Sequence, residues 1–312
     1  MMPNDFDTAR LQNVHLVPLT AYHPEGGLDL TKQAEHLQNL VDAGMRVFLP
    51  GAGTSEFHSL ADDEIVQLVR VTREVAGDSA TIFAPIGQQI SSAMKVGSEA
   101  LAAGADGVMF MPFGHPYLSD QGALAYYRDV MKELRCPVMI YKKAELPSDN
   151  LLLNLARDPR MVGVKYSVNN LSIFRQTVLA DQSDTQWLCG SAERFAPYFM
   201  LAGSTGYTSG AGNLCPRLTL AMYEALATGM YEEAMKLQEM ILPIEHYRAR
   251  EGDSFNITML KHGLKLTGLD FGPPRPPGRI LTAEEEQEIE ELLVPVFEAE
   301  KKLGEEMLIA GL

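Results

Sequence analysis

The chain has 312 residues, 46% of them hydrophobic and 21% charged, with a formal net charge of −15 at pH 7. This composition predicts a fully folded globular protein and excludes the low-hydrophobicity, high-charge class of disordered chains. The acidic balance argues against nucleic-acid and membrane partners, because each requires a basic face, and favours a small-molecule substrate.

Eight short apolar segments alternate with longer segments of helical periodicity, which is typical of βαβ units and a parallel sheet. The spacing of about 20–35 residues favours a closed (β/α)8 barrel, a TIM barrel of the α/β class, over an open sheet. In chain order, the predicted strands are Val14–Leu19, Met45–Pro50, Ala80–Ile86, Gly107–Met111, Pro137–Tyr141, Val162–Lys165, Gln186–Cys189 and Gly206–Ser209.

The segments between the strands carry recognisable helix ends. Gly44, Gly104 and Gly203 each follow an alanine immediately before an apolar or turn segment. Glycine adopts the left-handed conformation without steric cost, so we expect these residues to end three helices. The recurrence of Ala-Gly at the same point is a weak internal repeat, consistent with a barrel built from one repeated unit.

After about residue 212 the strand signal stops and four helical segments follow. We therefore expect a barrel with the active site over residues 1–230 and a C-terminal helical region, an extension of the barrel, over residues 231–312. The Pro-rich segment Gly272–Arg279 is expected to be a stiff connector, because proline fixes φ. The glutamates at 284–286 are expected in the first turn of the last helix, where they offset the helix dipole.

Targeting and cofactor signals are absent from the sequence. The N-terminus lacks a basic start followed by an apolar run, and no run of about 18 uncharged apolar residues occurs, which predicts a cytoplasmic protein without a membrane partner. The three cysteines are predicted to be buried thiols. Because no metal-ligand spacing, dinucleotide fingerprint or P-loop occurs, we expect neither a metal nor a nucleotide cofactor.

Three strand ends carry residues that could do chemistry, since the active sites of (β/α)8 barrels lie at the carboxyl ends of the strands. Lys165 ends a short apolar strand; buried there, its amine would have a lowered pKa and could attack a ketone. Tyr141 ends the preceding strand and could move protons. The Gly-rich turn with Thr54 could hold a carboxylate. The alternatives are an exposed lysine, a packed aromatic residue and an ordinary turn.

Several motifs in the expected order resemble those of the dihydrodipicolinate synthase and N-acetylneuraminate lyase family of class I aldolase-type barrels. They are VDAGMRVFLPGAGTSEFHSL, AAGADGVMFMPFGHPYLS, CPVMIY, VGVKYS, and CGSAERF followed by AGSTGYTSGAGNLCP. The resemblance spans roughly residues 14–290 and implies a homotetramer. It also implies a role for each of seven residues: Lys165 as the Schiff-base lysine, Tyr141 as the proton relay, Thr54 with the backbone of Gly53 and Ser55 as the carboxylate site, and Gly190 and Thr208 near the bound keto acid.

The chain departs from the synthases of this family at two places. Leu146 stands where those synthases place an arginine for the second substrate, and Phe113 and Gly114 stand where they place a second tyrosine that reaches in from a neighbouring subunit. Tyr117 is a possible substitute for that tyrosine. The departures argue against condensation of pyruvate with aspartate semialdehyde.

Other features are closer to the keto-deoxy sugar-acid dehydratases of the family, such as 5-keto-4-deoxyglucarate dehydratase. They include the aromatic residue after Glu56, the TSGxxN segment and the RPPGRILT connector. That branch has Tyr-Asn-Arg after the fifth strand, whereas this chain has Tyr141 followed by Lys142 and Lys143. Either lysine could bind a distal carboxylate or hydroxyl, with surface lysines as the alternative.

The sequence therefore predicts a Schiff-base-forming lyase that acts on pyruvate or a 2-keto-3-deoxy sugar acid and needs no cofactor beyond the covalent imine on Lys165. Two alternatives remain open at this point. One is a true 4-hydroxy-tetrahydrodipicolinate synthase, and the other is a non-catalytic 2-oxo-acid-binding protein on a retained barrel.

Overall fold

A computed structural model describes residues 6–310, with side chains in the last helix described up to residue 306. Eight parallel strands form one closed barrel in chain order, and the last strand pairs with the first. The predicted (β/α)8 barrel is confirmed. The strands are β1 (Val14–Leu16), β2 (Val47–Phe48), β3 (Thr81–Ile86), β4 (Gly107–Phe110), β5 (Val138–Lys142), β6 (Met161–Tyr166), β7 (Gln186–Cys189) and β8 (Gly206–Ser209).

Helices follow the strands and cover the outside of the barrel. Those of the barrel are α1 (Leu30–Asp42), α2 (Asp62–Ala76), α3 (Ile90–Ala102), α4 (Asp120–Leu134), α5 (Asp149–Leu155), α6 (Leu171–Ala180), α7 (Ala192–Leu201) and α8 (Pro216–Ala227). The C-terminal ones are α9 (Tyr231–Arg248), the one-turn α10 (Arg250–Asp253), α11 (Thr258–Leu266) and α12 (Ala283–Ala310). The predicted glutamates at 284–286 lie in the first turn of α12.

The predicted strands agree with the observed ones most closely in the second half of the barrel, where β7 and β8 have the predicted bounds. The first two strands, β1 and β2, are shorter than predicted because the chain departs early from the regular hydrogen-bonding pattern of the sheet. Backbone hydrogen bonds nevertheless continue beyond them: the N–H of Val17 donates to Ser209, and that of Leu49 donates to Leu16. The apolar residues after β1 and β2 are thus buried without being part of a strand.

The three predicted helix-ending glycines adopt the left-handed conformation. Gly44, Gly104 and Gly203 have φ values of 104°, 105° and 109°. They follow α1, α3 and α7, and their N–H groups donate to carbonyls of the preceding turn. The Ala-Gly repeat therefore marks the same structural point in three units.

The C-terminal helices pack directly on the barrel helices. Helix α9 packs on α7 and α8, and α12 packs on α8 and α9. Glu300 of α12 accepts hydrogen bonds from the backbone N–H groups of Arg217 and Leu218 at the start of α8, where a negative charge is favourable. The division into 1–230 and 231–312 stays a prediction, and residues 1–5 and 311–312 lie outside the described residues.

Candidate active site

A cavity of about 560 Å³ opens at the carboxyl ends of the barrel strands. Its volume is within the range of about 300–1,000 Å³ that is usual for small-molecule sites, and its position is that of (β/α)8 active sites. The lining includes the predicted residues Gly53, Thr54, Tyr141, Lys165, Gly190 and Thr208, together with Lys143, Ser167, Asn169, Arg194, Ser209, Gly210, Glu245, Arg248, Asp253 and Asn256.

Lys165 lies near the carboxyl end of β6 and is 5% exposed. None of the ion pairs found within residues 6–310 involves it. Burial, together with the positive charges of Lys143 and Arg248, lowers the pKa of Lys165 to about 7. At neutral pH a large fraction of the protein molecules therefore has Lys165 as a neutral amine. The neutral amine is the form that attacks a carbonyl.

Tyr141 is the direct neighbour of Lys165 across the β5–β6 ladder. The Nζ atom of Lys165 lies 4.1 Å from the centroid of the tyrosine ring. Burial raises the pKa of the Tyr141 phenol, which the hydroxyl of Ser167 opposes. The phenol therefore stays protonated at neutral pH and can donate a proton next to the amine. The structure brings these two residues together, while their catalytic roles stay predictions.

Gly190 provides the space in which Lys165 lies. A Cβ atom at this position would be 2.2 Å from Oγ of Ser167 and 2.9 Å from Cγ of Lys165. Any side chain there would therefore displace the lysine or the serine. Thr208, on β8, is buried at the cavity with its hydroxyl 3.5 Å from the carbonyl oxygen of Cys189. Both residues line the cavity, and their place next to a bound keto acid stays a prediction.

The turn after β2 contributes Gly53 and Thr54 to the cavity, but the side chain of Ser55 points elsewhere. The Ser55 hydroxyl donates to the carbonyl oxygen of Pro18, and its own carbonyl accepts from Thr20 at 2.7 Å. Ser55 is fully buried and lies beneath the turn. Its hydroxyl is thus occupied within the protein, and the contact expected through its backbone stays a prediction.

A buried ion pair fixes the residue that follows this turn. Glu56 adopts a left-handed conformation, with φ of 69°. One of its carboxylate oxygens lies 2.7 Å from Nζ of Lys261 on α11, and the other accepts from the backbone N–H of Arg275 at 2.8 Å. Arg275 also forms a two-pronged pair with Glu64 at 2.6 Å. The Pro-rich connector and the C-terminal helices therefore hold the predicted carboxylate-binding turn in place.

The two lysines after Tyr141 have different environments. Lys142 is buried and pairs with Asp149 at 3.4 Å, so its interpretation as a surface lysine or a substrate ligand is wrong. Lys143 is exposed and lines the rim of the cavity. Lys142 is the last residue of β5 and points to the face opposite Tyr141, because successive residues of a strand alternate, whereas Lys143 already lies beyond the strand.

The residues at the two departures from the synthases lie outside the cavity lining. Leu146 is exposed in the loop before α5, and a Cβ atom at Gly114 would make only an ordinary contact, 3.9 Å from Oε1 of Gln88. Phe113 packs against Tyr126 and Tyr127. Tyr117 is 87% exposed, so within one chain it does not substitute for the missing tyrosine.

The sequence interpretation missed the contribution of the segment between α9 and α11. Arg248 and Glu245 come from the end of α9, and Asp253 and Asn256 come from the residues after it. The oxygen of the Thr54 hydroxyl lies 3.4 Å from Oδ1 of Asn256. No local signal marks these residues, because they reach the site only through the docking of α9 on the barrel.

Residues 6–310 contain neither a cluster of metal-ligating side chains nor a helix suited to spanning a membrane. No group of three or more His, Cys, Asp and Glu side chains there has the arrangement of a metal site, and the expected absence of a cofactor stays a prediction. No helix in this range is both long and apolar enough to span a membrane. Cys136, Cys189 and Cys215 are free and buried, as predicted.

Comparison with known proteins gives one family match. The sequence model of the dihydrodipicolinate synthetase family matches residues 10–295. A probable 5-dehydro-4-deoxyglucarate dehydratase of Chelativorans sp. (strain BNC1) is 30% identical over 304 residues, which cover 95% of this chain and 99% of the relative. A similarly named protein of Streptomyces coelicolor is 29% identical over 301 residues, with 93% of each chain covered.

Solved structures of high similarity come from the same family. Dihydrodipicolinate synthase from Bacillus clausii superposes with a TM-score of 0.89 at 34% identity, covering 92% of this chain and 98% of that one. Dihydrodipicolinate synthase from Oceanobacillus iheyensis superposes with a TM-score of 0.88 at 31% identity and the same coverage. The similarity thus extends over the barrel and most of the C-terminal helices.

Proposed function

The chain belongs to the dihydrodipicolinate synthetase family, and on that basis we propose that it is a lyase that forms a Schiff base between Lys165 and a 2-oxo acid. The supporting observation is the state of Lys165: it is buried at the cavity, no ion pair within residues 6–310 holds its charge, and its pKa is lowered to about 7. A structural lysine would be paired or exposed. This one is available as a nucleophile.

We propose that the substrate is a 2-keto-3-deoxy sugar acid and that the reaction is loss of water. The relatives named as dehydratases support this choice over a synthase. So does Leu146, which stands where the synthases place an arginine and could not pair with a carboxylate. A cavity of about 560 Å³ is much larger than pyruvate alone requires, given that one water occupies ~30 Å³ of liquid.

The proposed reaction begins when the neutral amine of Lys165 attacks C2 of the substrate. The carbinolamine loses water to give an iminium ion, which withdraws electrons from the neighbouring carbon. A proton then leaves C3, and the electron pair expels the hydroxyl group from C4 as water. Hydrolysis of the unsaturated iminium consumes one water, releases the product and restores Lys165. The net change is loss of one water from the substrate.

Two further groups have roles in this proposal. The phenol of Tyr141 gives a proton to the departing carbinolamine hydroxyl and takes it back during hydrolysis. The hydroxyl of Thr54 and the backbone of Gly53 hold the C1 carboxylate, since glycine allows close approach of an anion to the main chain. With the carboxylate on this turn, C2 is presented to the amine.

Borohydride reduction in the presence of pyruvate tests the covalent step. We expect a reduced adduct on the peptide that contains Lys165 and none on the peptides of Lys142 or Lys143, as read by mass spectrometry. The variant Lys165→Met is the matched control and should give no adduct while remaining folded by circular dichroism. Folded wild-type protein without an adduct would contradict the proposal and favour a non-catalytic 2-oxo-acid-binding protein.

A substrate comparison separates dehydratase from synthase. The enzyme is incubated with a set of 2-keto-3-deoxy sugar acids and, separately, with pyruvate plus aspartate semialdehyde. We expect loss of one water from a sugar acid and no condensation product. Condensation at the higher rate would favour a true 4-hydroxy-tetrahydrodipicolinate synthase. The homotetramer and the cytoplasmic location stay predictions.

A further inference from the structure

Arg248, the last residue of α9, reaches the cavity from the C-terminal helical region. Its side chain is 5% exposed, yet it is part of the cavity lining. It lies directly over Gly210 at the end of β8, where a Cβ atom would be 2.2 Å from Nη2 of the arginine. Only glycine at position 210 therefore leaves room for the guanidinium in this place.

Two residues hold the guanidinium in place. Its Nη1 pairs with the carboxylate of Glu245, its Nε donates to the carbonyl oxygen of Asn256 at 3.2 Å, and its Nη2 donates to Oδ1 of Asn256 at 3.0 Å. A guanidinium has five N–H groups, so one on each terminal nitrogen is left over. Two such groups form a rigid fork that matches a carboxylate.

The charges around the cavity favour an anion. Apart from Lys165, the lining carries the cations Lys143, Arg194 and Arg248 against the carboxylates Glu245 and Asp253. The balance is positive in a chain whose net charge is −15. A locally positive cleft concentrates anionic ligands, and the C1 carboxylate of a 2-oxo acid already has its expected place at Thr54.

Three other cations near the site are less suited to hold a second carboxylate. Arg194 is partly exposed, with its guanidinium carbon 5.0 Å from the ring centroid of Phe195. Lys142 is buried with Asp149 and does not line the cavity. Lys143 is exposed at the rim, where water competes for it. Arg248 is buried and already held in one orientation, so little conformational entropy is lost when it binds a carboxylate.

We propose that Arg248 binds the second carboxylate of a dicarboxylic 2-oxo acid and so determines the substrate class. This inference rests on the proposed function, because it requires that C2 be bound at Lys165. Glu245 and Asn256 act as positioning residues for the guanidinium. Their contacts leave the free N–H fork available to the ligand.

The test compares two 2-oxo acids of equal length that differ only in a terminal carboxylate, 2-oxoadipate and 2-oxohexanoate. The concentration that gives half-maximal borohydride trapping on Lys165 is measured for each acid. We expect the wild-type protein to prefer the diacid by about tenfold to a hundredfold, as one charge-assisted, two-pronged contact implies. Calorimetric titration of the same acids measures the preference for the diacid without borohydride trapping.

Three variants assign the preference to Arg248. Arg248→Met alone would leave Glu245 buried without its partner, so the double variant Glu245→Gln with Arg248→Met is used beside it. Gly210→Ala keeps the arginine but places a methyl group where its Nη2 lies. In all three the diacid preference should fall to near unity, while pyruvate still gives an adduct. Arg250→Met, at an exposed arginine paired with Glu288, should keep the wild-type preference.

Each outcome has a defined meaning. Loss of the preference in Lys143→Met but not in the Arg248 variants would overturn the inference, as would a wild-type protein that traps both acids equally. Equal weakening of pyruvate and diacid in Arg248→Met, with the diacid preference retained, would also overturn it, because Arg248 would then act on both acids alike, through the C1 carboxylate or through the pKa of Lys165. Absence of any adduct with pyruvate contradicts the proposed function instead, and calorimetry then decides the diacid preference by itself.

Discussion

Two buried lysines at the carboxyl end of the barrel occupy opposite faces of the same pair of strands. Lys165 lies inside, over the ring of Tyr141 at 4.1 Å, and Lys142 lies outside, over the ring of Tyr166 at 5.7 Å. The β5–β6 register pairs Tyr141 with Lys165 and Lys142 with Tyr166. The same two residue types are thus paired twice, once toward the cavity and once toward the helices.

The two lysines differ in the acceptors around them rather than in their burial. Lys142 is 2% exposed; its Nζ donates to the carbonyl oxygens of Glu145 at 2.9 Å and Pro147 at 2.6 Å and lies 3.4 Å from Asp149. The Nζ atom of Lys165 takes part in none of the side-chain hydrogen bonds or ion pairs found within residues 6–310. A buried amine that lacks acceptors for its protons is favoured in the neutral form. On the inner face, burial therefore favours the neutral amine of Lys165, the form that the proposed Schiff base requires.

The largest expected effect comes from removing the hydroxyl of the inner tyrosine. Tyr141→Phe should lower turnover by roughly 10²–10⁴-fold, because a positioned general acid–base group contributes about that much. Tyr166→Phe is the matched control on the outer face, where the hydroxyl of Tyr166 contacts Asp149 at 3.2 Å, and should keep near-normal turnover. Steady-state kinetics on both variants measure the difference, and a Tyr141→Phe enzyme at full rate would remove the proton-transfer role.

The next effect is a gain in stability when the inner lysine is replaced. Because the folded-state pKa of Lys165 is lowered from 10.5 to about 7, the unfolded chain binds the proton more strongly and stability rises with pH between these values. Lys165→Met should raise the free energy of unfolding at pH 7 by something on the order of 3 kcal/mol. The gain should be largest below pH 7 and disappear as the pH approaches 10.5.

Urea unfolding of wild type and Lys165→Met at several pH values checks this prediction. Lys95→Met, at an exposed lysine, controls for the general effect of losing a positive charge. A variant that is less stable than wild type at pH 7 would show that the amine is held by a partner in the folded state. Lys165 would then have a partner for its amine, as Lys142 does, and the two lysines would no longer differ in this respect.

The smallest effect is expected from replacing Lys142, the outer lysine, and it is a loss of stability rather than a gain. Lys142→Met leaves two carbonyl oxygens and Asp149 without their donor, and Asp149 is partly exposed. We expect a loss of about 2 kcal/mol in unfolding free energy, less than for a fully buried pair. The borohydride adduct on Lys165 should still form. A stabilised Lys142→Met protein would contradict the structural role assigned to this lysine.

Much of the fold could be predicted from local patterns. Apolar runs of strand length, separated by helical segments ending in Gly44, Gly104 and Gly203, are properties of short stretches of chain. They gave the number and order of the strands, although the ends of β1 and β2 were placed too far along. The position of Lys165 could be predicted because it ends such a run, and Tyr141 because it ends the preceding one.

The remainder of the site depends on contacts between distant parts of the chain. Thr54 and Asn256 are 202 positions apart, and Arg275 and Glu64 are 211 positions apart. Neither the burial of Lys142 nor the exposure of Tyr117 could be deduced from their neighbours in sequence, since both depend on how the loops pack.

The sequence by itself determined that this protein is a barrel of eight strands with a lysine and a tyrosine on adjacent strand ends, because strand periodicity and strand order are local properties. The tertiary structure alone decided that, among the described residues, the Lys165 amine has no acceptor while Lys142 has two carbonyl acceptors and Asp149 beside it, and that Arg248 stands over Gly210 at the cavity. Those facts follow from the closure of the barrel and the docking of α9, which bring together groups that no sequence spacing connects.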